Sequence, residues 1–373
     1  MDFINLLCSS AWPEGNFWAS IIKIFDFIGS YAWIIIVFTI CLKLVLSPLD
    51  FLQRFYTNKT TRAQAKLAPQ LEKLKRQYGQ NQNLLYQKQN ELYQKNGVSN
   101  RGSCIFMIVY MVLTLTIFIT LFNSMQYIAR FKIQDQYTQL QSEYTYSYNV
   151  EYVQNYLGID ITGNEYKVYT QEELAAQETA KADDEAVAQT KALAKSNAQD
   201  KVVAKYGEIK DSWLWIRNIW VADKATQKAV LTYDSYVAVT QDNELDKTLY
   251  EDVMGKLTAE DSEYNVANGF YLLSVIVLLV SLLSQYLMRK VSQPHTKDGQ
   301  QAPAPTASKV MMFIMPAIMV MFTLNSSAIF SIYIIVNSLM SALLVPIIMK
   351  ICNAIEAKNE QKKYEQIKVD YRR

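Results

Sequence analysis

Apolar positions along the chain gather into five runs, at residues 27–47, 104–125, 268–288, 310–324 and 328–349, and Lys43 is the one charged residue inside them. Uninterrupted apolarity of this length predicts helices that lie in a membrane, not the half-polar pattern of a helix on a soluble core. At a rise of about 1.5 Å per residue the first, second, third and fifth runs cover a hydrocarbon core of about 30 Å, and the fourth reaches it only with flanking residues such as Ala307 and Ser308. Asn325, Ser326 and Ser327 alone separate the fourth and fifth. That spacing suits a tight reversal between antiparallel helices, and one long kinked helix also fits the pattern. A single helix of about 40 residues would overshoot the bilayer roughly twofold, which favours the reversal. The expected fold is an all-α membrane protein with five transmembrane helices, at 27–50, 104–129, 268–288, 310–324 and 328–349.

The polar stretches carry patterns of their own. Within 51–103, Leu67, Leu71, Leu74 and Tyr78 recur at helical spacing up to Gly79, and Leu85 and Leu92 follow before Gly97. This predicts a helical hairpin whose apolar stripes zip together while Lys66, Lys73, Arg76 and Lys88 stay wet. A solvated linker and a partner-binding hairpin both fit it. Residues 130–267 form a domain-sized insertion. Tyr137, Tyr144, Tyr146, Tyr148, Tyr152 and Tyr156 crowd its start, and the Ala, Glu and Lys of 171–205 predict solvent-exposed helix. Thirteen of the chain's 25 tyrosines lie in it, which calls for some packed structure; an acidic decoration of the outer face and a docking module both account for it.

Charge orients the spans. Ten Lys/Arg against two acids in 51–103 place that hairpin in the cytoplasm, because basic connections are retained there. Loop 289–309 carries Arg289, Lys290, Lys297 and Lys309 against Asp298, and tail 350–373 holds seven bases and four acids, so the three basic stretches share one side if the spans number five. Residues 130–265, with 14 bases and 24 acids, fall outside as an extracytoplasmic inserted domain. The N-terminal segment 1–26, without Lys or Arg until Lys23, joins them. No basic lead opens the chain and its first apolar stretch is short, so no cleavable signal peptide is expected. Leu6-Leu7-Cys8-Ser9 resembles a lipoprotein cleavage box lacking that lead.

Composition then removes several chemistries. Half of the 373 residues are hydrophobic and 19% charged, with a formal charge of +2, an average that blends two segregated solvents. The single histidine, His295, excludes a multi-His metal site, and eleven glycines form neither a phosphate-binding loop nor a nucleophile elbow. Cys8, Cys41, Cys104 and Cys352 fall at different membrane levels, so no disulfide framework is implied. An intramembrane protease lacks its nucleophile and base, and neither cofactor nor enzymatic turnover is expected. Lys43 costs at least about 2.5 kcal/mol at mid-bilayer and is a functional candidate for that reason. It also lies close enough to the cytoplasmic boundary to snorkel. Thr114, Thr116, Gln285, Tyr333 and Asn337 either line a hydrophilic groove or hydrogen-bond between helices. Met311, Met312, Met315, Met319 and Met321 fit an adaptable apolar surface or plain lipid-facing packing.

The residues around Lys43 resemble the YidC family of membrane protein insertases. The likeness runs through Lys43-Leu44-Val45-Leu46-Ser47-Pro48-Leu49, the helix containing Leu67-Ala68-Pro69-Gln70-Leu71-Glu72-Lys73-Leu74-Lys75, and Leu92-Tyr93-Gln94-Lys95-Asn96-Gly97-Val98. Downstream, Trp213-Leu214-Trp215-Ile216 with Asp223 is similar to the motif before the family's third core span. Gln285 is similar to a polar position near that span's inner end. Lys309-Val310-Met311-Met312-Phe313-Ile314-Met315-Pro316, Tyr333 and Asn337 resemble the last two spans. The family usually has Arg at the place of Lys43, Pro and Gln at the places of Phe106 and Tyr110, and Pro-x-Gly where Asn325-Ser326-Ser327 stands. The large outside insertion has no counterpart in the family's short loop, and the soluble domain that Gram-negative members carry before the core is absent, which implies a single-membrane bacterium as the source.

What the resemblance implies is a five-helix bundle around a hydrophilic groove bearing a positive charge, open to cytoplasm and lipid and closed to the outside. Lys43 would hold a client's polar, often acidic, outside portion while its hydrophobic helix slides into lipid. Thr114, Thr116, Gln285, Tyr333 and Asn337 would line the groove. Partners implied are nascent membrane proteins and the lipid bilayer, with the ribosome and the Sec translocon as candidates and no DNA. The tail's bases suit ribosomal phosphates and simple solvation alike. The alternative is a small transporter or channel using Lys43 as a substrate counter-charge.

Overall fold

The computed structural model describes residues 12–95, 100–181, 183–292 and 306–370; Cys8, Gly97, His295 and Tyr371-Arg372-Arg373 lie outside the described residues. Among the described residues every regular element is a helix, and β geometry is confined to isolated bridges between Trp213 and Ile216 and between Lys228 and Ala267. A short helix, α1 (Phe17–Lys23), is capped by Asn16, whose side chain accepts from the Ala19 N–H at 3.0 Å. The first apolar run and the first hairpin arm are one helix of 48 residues, α2 (Tyr31–Tyr78), which passes through Pro48 and Pro69. The second arm is α3 (Gln82–Lys95).

The second apolar run continues through α4 (Asn100–Tyr148) into a π-helix (Asn149–Tyr156), and the fifth continues through the tail as α11 (Ala328–Asp370). Positions 50, 129 and 349, the expected ends of three spans, therefore lie inside unbroken helices. The Lys, Arg, Gln and Glu residues beyond the apolar runs are themselves good helix formers, so nothing halts the helix until Gly79 or a comparable stop. Between the fourth and fifth runs the chain does break: α10 (Thr306–Leu324) ends before Asn325, and α11 starts at Ala328. The third run is α9 (Leu272–Ser292). Among the described residues three helical stretches, Tyr31–Asn58, Ile105–Tyr156 and Ala328–Asn359, are long and apolar enough to cross a membrane, and Leu272–Met288 and Phe313–Leu324 are shorter apolar helices.

The chain divides into two compact units, one of Ile35–Phe122, Val275–Phe322 and Ile332–Arg373, the other of Met1–Ile34, Asn123–Ser274 and Thr323–Ser331. Within the former, α2 meets α4 through the Tyr56 and Phe106 rings at 5.3 Å, and meets α11 through Asn58, which donates to Asn353 at 3.0 Å. Phe118 and Phe122 of α4 pack edge-on to Phe322 of α10, at 5.6 and 5.3 Å. Val45, Ile105, Met321 and Leu343 point outward at 63–73% exposure for the first two and 64–66% for the others. So much apolar surface suits lipid and not water. In the hairpin, Leu67 and Leu85 are buried and Leu71, Leu74, Tyr78 and Leu92 partly so, while residues between them are mostly exposed.

The other unit packs the insertion's helices α5 (Gln171–Ala180), α6 (Asp184–Ile209), α7 (Tyr233–Thr240) and α8 (Lys247–Thr258) with the π-helix. Composition predicts a solvent-exposed helix over 171–205; the helices form, but α6 buries Ala194, Ala198, Val202 and Tyr206. Four residues apart, these lie along one face of the helix, and α8 meets α6 through Gln199, which donates to the Asp252 carbonyl at 2.8 Å, and Ser196, whose carbonyl accepts from Lys256 at 2.8 Å. Tyr137 stacks on Tyr250 at 4.9 Å and lies against Tyr236 at 5.3 Å. A second core gathers Tyr152, Val153, Leu157, Ile161, Leu174 and Ala194.

The Trp213 motif also has a structural task there. Trp213 and Ile216 close a tight turn with paired backbone bonds of 3.0 and 2.9 Å, and Leu214 sits at its tip with φ 51°. Asp223 accepts from the Leu273 N–H at 2.6 Å, which caps the exposed amide end of α9 with a carboxylate, where the helix dipole favours negative charge. The carboxylate comes so near Gly269 that a Cβ there would overlap it, so only glycine fits. Asn268, fully buried, accepts from the Asn218 N–H at 2.7 Å and donates to the Asn218 and Ala222 carbonyls at 2.8 and 3.0 Å.

Candidate functional site

A cavity of about 590 Å³ opens within the unit that carries most of α2, α9, α10 and α11. Its walls come from α2 (Thr39, Leu42, Lys43, Leu46, Leu49, Asp50), α4 (Tyr110, Met111, Leu113, Thr114, Leu115, Ile117, Phe118, Ile119), α10 (Met315, Ile318, Met319, Phe322) and α11 (Tyr333, Asn337). On α2 the lining positions recur three or four residues apart, which is one face of the helix. The lining is predominantly leucine, isoleucine, methionine and phenylalanine, with a few polar groups set among them.

Two of those groups are opposite charges. Lys43 Nζ stands 3.1 Å from Asp50 Oδ2, with side-chain exposures of 16% and 8%. Seven residues are two helical turns, so both stand on the same face, about 10.5 Å apart along the axis of a straight helix; an extended lysine stem and the aspartate together span that gap. Pro48 lies between them and removes one backbone bond from the intervening turn. From α4, the Tyr110 hydroxyl donates to Asp50 Oδ1. Arg54, a turn beyond Asp50, donates to Met288 Sδ at 3.6 Å, and its Nε is buried without a hydrogen-bond partner.

Of the residues expected to line a groove, Lys43, Thr114, Tyr333 and Asn337 are brought together on this wall, and Thr116 and Gln285 do not line it. Thr116 is exposed and returns its hydroxyl to the Val112 carbonyl at 2.9 Å. Gln285 is half-buried on α9. Thr114 bonds back to the Tyr110 carbonyl at 2.9 Å, so it contributes a hydroxyl already satisfied within its own helix. Of the five clustered methionines, Met315 and Met319 reach the cavity and Met321 is exposed. Asp50 and Tyr110 escaped the sequence reading as site residues. Asp50 had a signal: it is the single acid between Asp26 and Glu72 and stands two turns from Lys43. Tyr110 stood out only as a departure from the family's usual Gln, and its link to Asp50 bridges 60 residues. Among the described residues no group of three His, Cys, Asp or Glu side chains is placed to hold a metal ion.

Residues 23–164 match the family described as 60Kd inner membrane protein. That stretch contains Lys43, Asp50, Tyr110 and Thr114; Gln285, Tyr333 and Asn337 lie beyond it. No curated protein and no solved structure matches the chain.

Proposed function

We propose, from the match of residues 23–164 to the family described as 60Kd inner membrane protein and the resemblance to the YidC insertases, that the whole chain receives hydrophobic nascent segments and passes them into the bilayer through a groove that holds their polar ends. The observation that carries the reading is the cavity, where an ammonium group is set among apolar side chains on one face of α2. A client's short polar tail would lie near Lys43, Tyr333 and Asn337, and its hydrophobic helix against the leucines, Met315 and Met319. Thioethers adapt to varied apolar surfaces, which suits clients of unrelated sequence. At an effective dielectric near 20, opposite charges 4 Å apart attract by about 4 kcal/mol before desolvation, a gain for which a client carboxylate competes with Asp50, 3.1 Å from Lys43.

The rest of the reading is a five-span topology with the N-terminus outside, the hairpin and tail in the cytoplasm, and the ribosome and Sec translocon as candidate partners of the basic face. Insertion of this kind needs no cofactor and no bond-making step. Reconstituted in liposomes, the Lys43→Ala protein should insert a single-span client with a short acidic tail about tenfold less than wild type and its neutral counterpart nearly as well, while Lys43→Arg preserves both. Full insertion of the acidic client by Lys43→Ala would defeat the groove-charge mechanism and leave the insertase assignment standing.

A further inference from the structure

Two positions at which this chain departs from the YidC pattern, Lys43 and Tyr110, converge on one carboxylate. Lys43 Nζ reaches Asp50 at 3.1 Å and the Tyr110 hydroxyl donates to its other oxygen, with all three side chains on the wall of the same cavity. Lys43 is therefore not a bare charge awaiting a client: its counter-ion is already in the chain. With side-chain exposures of 16% and 8%, both partners are largely withdrawn from bulk water, so removing one leaves the other costly and unpaired. On the opposite side of Asp50 stands Arg54, one turn along α2, with a buried Nε that has no acceptor. The carboxylate thus lies between a cation that holds it and a guanidinium whose contact through another nitrogen, Nη2, is the weak acceptor Met288 Sδ at 3.6 Å.

We propose that Asp50 is an exchangeable counter-ion that determines which clients the groove accepts. At rest it neutralises Lys43. An incoming client carboxylate takes its place on Lys43, and Asp50 turns to Arg54 while Tyr110 retains one of its oxygens. Lys43 and Asp50 each face an opposite charge before and after the exchange, so the client's acid enters without leaving either of them an isolated ion in a low-dielectric site. A neutral tail offers Lys43 nothing in return and leaves the resting pair closed. Asp50 is in this way a specificity residue: the client's acid must compete with it. The inference rests on the insertase reading given above.

The test uses the full-length protein in liposomes and two single-span clients identical except for Asp or Asn in the short translocated tail; the readout is the ratio of acidic to neutral insertion. Asp50→Asn removes the competing charge and nearly preserves side-chain shape, so the ratio should rise by about tenfold over wild type. Arg54→Gln removes the place to which Asp50 moves, so the ratio should fall by about threefold. Opposite signs from two neighbouring substitutions are not expected of residues that merely stabilise the helix. A ratio unchanged in Asp50→Asn protein that still inserts the neutral client overturns the proposal. If Asp50→Asn inserts neither client, Arg54→Gln decides, and an unchanged ratio there overturns it. Wild-type protein that inserts neither client above protein-free liposomes sinks the insertase reading and this inference together, whereas active wild type with an insensitive ratio sinks the counter-ion alone.

Discussion

Asp211, outside the spans, accepts from Trp220 Nε1 at 2.7 Å and Gln136 Nε2 at 3.3 Å, and burial still raises its pKa to about 6 against those bonds and the charge of Lys132. The folded protein therefore keeps this proton over a range where the unfolded chain, near pH 4, has already lost it. The contribution to stability is fully present below about pH 4 and is lost as pH rises through about 6, on the order of 3 kcal/mol for a shift of this size. Thermal unfolding followed by tryptophan fluorescence should show wild type losing stability relative to Asp211→Asn between pH 4 and 7. Parallel pH profiles for the two proteins would refute the assignment. The contrast with Lys43 explains what single residues reveal in a sequence. Lys43 is conspicuous as the one charge in an apolar run, whereas Asp211 is one acid among 24 in residues 130–265, singled out only by the tryptophan and glutamine that fold over it.

For the elements, periodicity made the helices legible and misjudged where they stop and what they face. Apolarity reports the solvent around a helix, and a helix crosses from lipid into water without ending, so α2, α4 and α11 all run past the limits their apolar runs suggest. Alanine is the other source of error. Its small side chain makes a helix look surface-like in composition, yet Ala194 and Ala198 are fully buried on α6, Ala194 within the core that also holds Tyr152, Val153 and Leu174. Ala198→Leu should therefore overpack that buried position and cost about 1–3 kcal/mol, lowering the thermal midpoint by several degrees. Leu193, exposed on the same helix, should accept alanine within about 0.5 kcal/mol. Equal midpoints for the two variants would show that the α6 face is not packed as described. The hairpin shows the opposite case: the leucine stripe read from the sequence is the stripe that is shielded.

For the whole molecule, the charge pattern predicts topology. Protease added to intact protoplasts should cut between residues 130 and 265, the acidic stretch, and spare residues 51–103, and cleavage of the hairpin from outside would reverse the proposed orientation. The sequence by itself determined the helical class, the apolar runs, their punctuation and the segregation of charge, because each follows from composition and spacing within a few turns of chain. Tertiary structure alone decided which polar residues share a cavity: it turned Thr116 and Gln285 away from the wall, brought Tyr110 to Asp50 and set Asp223 on the amide end of α9. The physical reason is range. Periodicity and propensity act over a turn or two of helix, whereas a cavity or a cap is made by residues 50 or 60 positions apart, whose meeting depends on how whole helices pack.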